Sequence, residues 1–508
     1  MSGKYRKTKK LINTNKEKYN VEQPVSFTLD QKIEIIQDCI HHTDDLYIRE
    51  IKLAEKVFKI LFIDSIVDEK GVETNIIKPL LNSTSENVLQ VITSAKMLTS
   101  TNIELAAEML AKGYCLVLEE SVDTYFMIPL TKEHSNRVEP GNERIIRGSH
   151  QGFGENITEN LQFIRERISS ADLTIKRSRL GKTSQSTFAL VYLSDLANQD
   201  TVKRIENRLS YIETDSIQAP GYFEEFLEEN SYSPFPQFLN TERTDRVVGN
   251  LMEGRIALIM DGCPTALIFP VSFFSFFQTS EDYNNRSFIA SFFRIIRIFS
   301  FITTLCLPAF YIALISYNYE IIPVEIVFPI KSSLEFIPFP PLIEATIMQL
   351  TLELLREAAI RLPNPIAQTI GVVGGLVIGT AVVEANLVSN TMVIVVAITA
   401  ISSFVIPSSE LSTTIRILGF PLMLCSSLFG VFGIVIGLMI ILIHMSKLKS
   451  LGHPYLYPLA PLDLAALKDI LIRVPLWLLQ LRPKDLKTQY RWRMSKSRGW
   501  EKDEEESD

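Results

Sequence analysis

Carboxylates and guanidinium groups strung along two adjoining apolar segments are the residues whose type and spacing could do chemistry here. Residues 341–390 read PLIEATIMQLTLELLREAAIRLPNPIAQTIGVVGGLVIGTAVVEANLVSN. In the first segment Gln349, Glu353, Arg356, Glu357 and Arg361 share one face of a helix. Leu, Ile, Met and Ala lie mostly opposite, and Leu350 and Ile360 interrupt the polar arc. Glu353 with Arg356, and Glu357 with Arg361, stand at helix-neighbour spacing with the acid first, which is the favourable order. Such a face is either a surface laced by weak ion pairs or the polar wall of a vestibule beside a membrane pathway.

Pro363 and Pro365 must end that helix, because each lacks an N–H and restricts the residue before it. Beyond them Gly371, Gly375 and Gly379 recur at every fourth position, a small-residue seam that lets two helix backbones approach closely in lipid. Thr369, Val373, Val377, Thr380 and Glu384 fall on the opposite face. A carboxylate at the end of an apolar span is either an interfacial residue or part of a path for ions.

Other chemistry finds no support. Gly181-Lys182-Thr183 imitates the end of a phosphate-binding loop, but Lys176 stands where its first glycine is needed. Gly152 and Gly154 complete no dinucleotide fingerprint, Ser149 is in no nucleophile elbow, and the six histidines show no metal-ligand spacing. The expectation is no enzyme, no cofactor and no metal. A net charge of −7 gives no reason to expect nucleic acid. Five scattered cysteines without a CxxC exclude a disulfide framework and fit a reducing compartment.

The elements that would position these groups form a multi-domain chain: a two-lobed α/β cytoplasmic N-terminal domain followed by an α-helical multi-pass membrane domain. Residues 1–26 are basic and lack an apolar stretch, so they read as a disordered arm rather than a signal peptide. An α/β domain follows at 27–240. Its first part, including LYIREIKLAEKVFKILFI, has a mostly helical pattern. Residues 113–129 and 254–270 each read Gly, apolar strand, acidic turn, apolar strand, Pro. This repeat implies two related lobes, each built on a hairpin, with the second hairpin and a membrane-proximal segment at 241–285. NITENLQFIRERI and QDTVKRIENRLSYI read as helices around the strand STFALVYL.

The membrane domain at 286–446 has spans at about 298–317, 366–383, 391–406 and 417–445. Between them, residues 320–361 are re-entrant or amphipathic. Arg286, Arg294 and Arg297 before the first span, and Lys447 and Lys449 after the last, place both termini in the cytoplasm. That requires an even number of crossings, here four. Residues 447–508 read as an interfacial helix, LDLAALKDILIRVPLWLLQL, with a charged tail.

SPFPQ with NTER, GRIALIMDG, PFPP, LREAAIRLPNPIAQTIGVVGG, VEANLVSN and HPYLYPLAPL resemble the GerA-type spore germination protein family, specifically the A subunits of nutrient germinant receptors. The likeness runs from about Gly113 to Pro483 and is most specific from Leu355 to Asn390. It implies a multi-pass protein of the spore inner membrane. It also implies partners, a transporter-like B subunit and a C-subunit lipoprotein, and a homo-oligomeric ring that releases ions when nutrient is sensed. Within the same family, SpoVAF-like accessory proteins leave open a non-conducting scaffold that assembles germination partners.

Overall fold

The computed structural model describes residues 28–494 and Arg498, apart from 54–55, 83–90, 93–95, 121, 134–137, 322, 465 and 471. In the helices at 324–334 and 364–384 it describes only some of the side chains. The basic arm and the charged tail lie outside the described residues. The chain divides into two compact units. One comprises residues 1–137, 156–178 and 189–194, and the other comprises 138–155, 179–188 and 195–508.

The first unit opens with α1 (Leu29–Cys39), started by a Thr28 capping box with Gln31. Residues 46–63 follow as strands β1 (Leu46–Leu53) and β2 (Lys56–Ile63), paired antiparallel from Leu46 opposite Ile63 to Leu53 opposite Lys56. The helical expectation for this stretch is therefore corrected. VFKILFI is rich in β-branched and aromatic residues and is mostly buried on the pleated surface, and pairing with it fixes the less regular LYIREIKL as a strand. β3 (Leu98–Ser100), α2 (Ile103–Ala111), β4 (Tyr114–Glu119) and β5 (Tyr125–Pro129) complete the sheet, and Ile60, Leu61, Leu116, Val117 and Ile128 are fully buried in its core. Helix α3 (Ile157–Arg167) carries Arg165, which donates from Nε and Nη2 to the two oxygens of buried Asp45, each at 2.8 Å. Thr43 and Ser65 donate to the same carboxylate. This bidentate, fully hydrogen-bonded pair holds Asp45 below the usual carboxylate range despite burial.

β6 (Leu173–Leu180), β7 (Ser186–Leu193), β8 (Leu239–Thr241), β9 (Ile256–Met260) and β10 (Ala266–Phe269) make the second sheet. The two strand orders, β1-β2-β4-β5-β3 and β6-β7-β9-β10-β8, are the same topology written twice. α4 (Gln199–Ser210), α5 (Pro220–Leu227) and α6 (Thr244–Glu253) lie between the later strands.

In the second unit the apolar half of the sequence is helical: α7 (Ser287–Ser316), α8 (Val324–Leu334), α9 (Pro341–Arg361), α10 (Asn364–Glu384), α11 (Asn390–Val405) and α12 (Ser409–Lys447). Among the described residues α7 and α12 are long and apolar enough to cross a membrane, and α11 is a shorter apolar helix. The 39-residue α12 is not one rod. Gly430 takes φ 59° and ψ −141°, and the chain turns back on itself there. A Cβ on Gly433 would collide with the Cys425 carbonyl oxygen, and one on Gly437 would meet the Leu422 side chain, which is the register of an antiparallel hairpin. The tip is held by Tyr317, whose hydroxyl donates to the Ser427 and Leu428 carbonyls, and by Asn318, whose side chain accepts from Val431 N–H. The expected single span at 417–445 is therefore two antiparallel arms. The expected interfacial helix after residue 461 is also corrected. Among the described residues there, Ala466–Asp469 and Leu476–Leu478 are short 3-10 turns, and Pro475 interrupts any longer run.

Gly430→Ala and Gly433→Ala should each destabilise the chain, the first by about 1–3 kcal/mol of backbone strain and the second through overpacking against a carbonyl that cannot move. Thermal unfolding of the purified protein checks this, with Gly249→Ala inside α6, which meets no described atom within 4 Å, as a control that should stabilise by up to about 1 kcal/mol.

Candidate functional site

Residues on the polar face of α9 do not stay together. Glu353 accepts from Arg416 Nε at 2.7 Å and lies 3.5 Å from Arg356 Nη1, so one carboxylate ties α9 to α12. Arg356 donates from Nη2 to Ser403 of α11 at 3.1 Å, and its guanidinium lies 4.7 Å from the centre of the Phe404 ring. Arg416 donates also to Ser412 and Thr413. Glu357 and Arg361 form an exposed pair at 2.6 Å, and such a pair contributes little. Buried Gln349 approaches Gly419 of α12.

Gly371, Gly375 and Gly379 lie along α10, and a Cβ at any of them meets no described atom within 4 Å. Val377 is exposed, Thr380 donates back to the Val377 carbonyl, and exposed Glu384 is the last residue of the helix. Thr369 and Val373 belong to the same helix, but their side chains lie outside the described ones.

At the other end of the bundle the helices meet the second sheet's loops. Both arms of the α12 hairpin reach one linker: Thr414 donates to the Pro234 carbonyl, and Ser233 hydrogen-bonds His444 at 2.8 Å. Ser450 then donates to the Gln237 carbonyl and accepts from Val271 N–H. α7 is anchored separately. Buried Arg294 contacts Asp282 and Asp469, each at 3.1 Å, and Arg297 contacts Asp282 at 2.8 Å.

Beside the linker sits a group of acids that pair with no cation among the described residues. Burial raises Glu224 to about 8, reinforced by Glu410 and Glu228. Burial likewise raises Glu228 to about 7, although a backbone hydrogen bond from Gln237 opposes it. The fully buried Tyr455 hydroxyl, close to Glu228 and Glu410, has no hydrogen-bond partner among the described residues. Glu224 and Glu228 therefore hold their protons to near neutrality, each raised further by the neighbouring Glu410 carboxylate. No set of three or more His, Cys, Asp or Glu side chains among the described residues is placed to hold a metal ion.

The family model described as Bacillus/Clostridium GerA spore germination protein matches residues 34–485. The chain belongs to the GerA family. Its relatives include the uncharacterized membrane protein YfkQ of Bacillus subtilis (strain 168), which is 34% identical over 91% of this chain and 92% of that one. Spore germination protein KA of the same organism is 33% identical over 94% and 90%. Spore germination protein GerLA of Bacillus cereus is 36% identical over 89% and 94%. A crystal structure of the N-terminal domain of the A subunit of the Bacillus megaterium spore germinant receptor GerK3 aligns with 48% of this chain and 96% of its own. The sequence identity is 28% and the TM-score 0.39.

In this GerA-family chain, sequence reasoning missed Arg416 and Ser403 as partners of α9, and it missed the junction acids. Nothing in periodicity brings residues 224, 410 and 455 together. The doubling of α12 did have a signal in length, since the expected span at 417–445 already exceeds the ~20 residues a crossing needs.

The junction acids give the GerA-family chain a pH dependence with a definite sign. An unfolded glutamate releases its proton near pH ~4.3, and these folded ones hold theirs to about 7 and 8. The folded state therefore binds more protons in that window, and its stability falls as pH rises through it. Unfolding of the full chain in detergent between about pH 6 and pH 9 should show a loss of about 1–3 kcal/mol that Glu224→Gln with Glu228→Gln flattens.

Proposed function

We propose that this chain is the A subunit of a spore germinant receptor, an oligomeric, ligand-gated membrane component that contributes an ion-conducting path. The observation that carries the reading is the glycine face of α10, which meets no described atom within 4 Å, beside helices tied together by Glu353, Arg356 and Arg416. Small-residue faces allow backbones to approach in lipid, so a neighbouring copy would pack on Gly371, Gly375 and Gly379. Thr369, Val373, Val377, Thr380 and Glu384 would then line the path, with the Glu384 carboxylate drawing cations to its mouth. The engaged half of the α9 face, Glu353 and Arg356 with Arg416, would form its polar wall.

α7, α9, α10, α11 and the two arms of α12 would give six crossings in place of four. Contacts order them consistently. Tyr311 of α7 bonds Ser389 at the start of α11, while Arg356, late in α9, bonds Ser403 near the end of α11. An even number returns both termini to the side of Arg286, Arg294, Arg297, Lys447 and Lys449, the cytoplasmic side by the positive-inside rule. The site of action would be the spore inner membrane. The partners would be a transporter-like B subunit and a C-subunit lipoprotein, and no catalytic step is assigned.

Potassium release from spores tests the reading, with protein levels checked. Gly375→Leu should reduce assembly and nutrient-triggered release severalfold, and Val377→Ala or Val377→Glu should either release potassium without nutrient or abolish release. Normal levels with wild-type release in all three would favour a non-conducting scaffold.

A further inference from the structure

Glu344 lies in the first turn of α9 and is 0% exposed. Its Oε2 accepts from the backbone N–H of Ser389, the residue that caps the start of α11, at 3.1 Å. Its Oε1 has no hydrogen-bond partner, and the carboxyl forms no ion pair, among the described residues. On α7 the Tyr311 hydroxyl shares a hydrogen bond with Ser389 Oγ at 3.1 Å, which makes Tyr311 the titratable neighbour on that helix. α11 presents the Ser389 hydroxyl and no charge. On α12, Arg416 is taken by Glu353, more than two turns along α9. On α10, Glu384 is exposed.

An ionised carboxylate buried with one bare oxygen and no cation costs several kcal/mol. Two ligands could relieve that cost. A hard cation surrounds itself with about six oxygens, whereas this pocket presents one carboxylate and two hydroxyls. A proton needs only the bare oxygen.

We propose that Glu344 is a proton-binding site at the contact of α7, α9 and the start of α11, occupied in the folded chain. The neutral acid keeps Oε2 as the acceptor for Ser389 N–H and removes the uncompensated charge. Deprotonation would place a full negative charge between three helices, so occupancy of the site is coupled to how closely they pack. The inference concerns the folded chain alone and does not require that it conduct ions.

The test compares wild type, E344Q and E344A as full-length protein in detergent, measuring thermal unfolding between about pH 6 and pH 9. Glutamine is neutral and still accepts from Ser389 N–H. E344Q should therefore exceed wild type already at about pH 6 and pull further ahead as pH rises, because an unfolded carboxyl with a pKa of ~4.3 has given up its proton across this window while the folded one must be held neutral. The difference between the two proteins cancels the contribution of the junction acids. E344Q less stable than wild type at every pH would overturn the proposal, since the carboxylate would then be an ionised cap of α11. A second readout uses dicyclohexylcarbodiimide, which takes the proton of a buried carboxylic acid on nitrogen and adds the carboxyl oxygen to its central carbon, with no leaving group. Mass spectrometry should place the adduct on Glu344 and not on exposed Glu357 or Glu384, with yield falling about tenfold per pH unit once the acid ionises. Absence of a Glu344 adduct at about pH 6, where the site must hold its proton, would also overturn the proposal. If E344A fails to fold, the E344Q comparison and the wild-type labelling still decide the question.

Discussion

The return of the chain at Gly430 is the constraint on which the helical unit depends. An apolar run as long as α12 must either project far beyond a bilayer or double back. Doubling back requires a residue that accepts a positive φ and a second arm thin enough to lie on the first. Gly430 supplies the turn, and Gly433 and Gly437 supply the thinness. Because the arms are antiparallel, their ends arrive together, and both bond the same two-residue stretch, Ser233-Pro234. That stretch bends at Pro234, and its proline keeps it from being drawn into a neighbouring helix, so it serves as a fixed point. It offers a carbonyl to the Thr414 hydroxyl on one arm and a hydroxyl to the His444 ring on the other.

Polar groups inside the helical unit follow from the same condition. Where water is scarce, a charged side chain persists only if neighbours replace its hydration. Glu353, Arg356 and Arg416 do this for one another across α9, α11 and α12, and Arg294 does it with Asp282 and Asp469 where α7 begins. These pairs contribute little net stability, because burial costs nearly what the attraction returns. Breaking one would strand the other charge, so they fix which helices lie side by side. Glu344 differs from this set in having no charged partner among the described residues, with one oxygen engaged by Ser389 N–H.

Legibility in the sequence followed the range of each interaction. The two hairpins, 114–129 and 256–269, were readable because alternation, turn residues and bounding Gly and Pro are local signals. So was the break between α9 and α10, where the proline pair acts on its own neighbours. β1 and β2 misled because charged residues spaced through LYIREIKL suit a solvent-facing helix as well as an edge strand, and only pairing with β4 decides between them. Gly430 was hidden among several glycines of one apolar run, where composition cannot tell the one that turns the chain from those that thin it. The junction acids and the Glu344 contact were not legible at all. Each joins residues far apart in sequence, and no period in a one-dimensional pattern encodes that.

The helices of the second unit therefore differ in how complete they are within one chain. α7, α9, α11 and α12 meet each other's polar groups, and Gly433 and Gly437 of α12 are filled by its own opposite arm. The glycines of α10 meet nothing described within 4 Å. A glycine in a helix interior costs roughly 1 kcal/mol relative to alanine, and three of them on one face yield no return unless a backbone comes close enough to use the space. In α12 that return is visible inside the molecule. In α10 the same residue pattern has the cost with no such contact among the described residues.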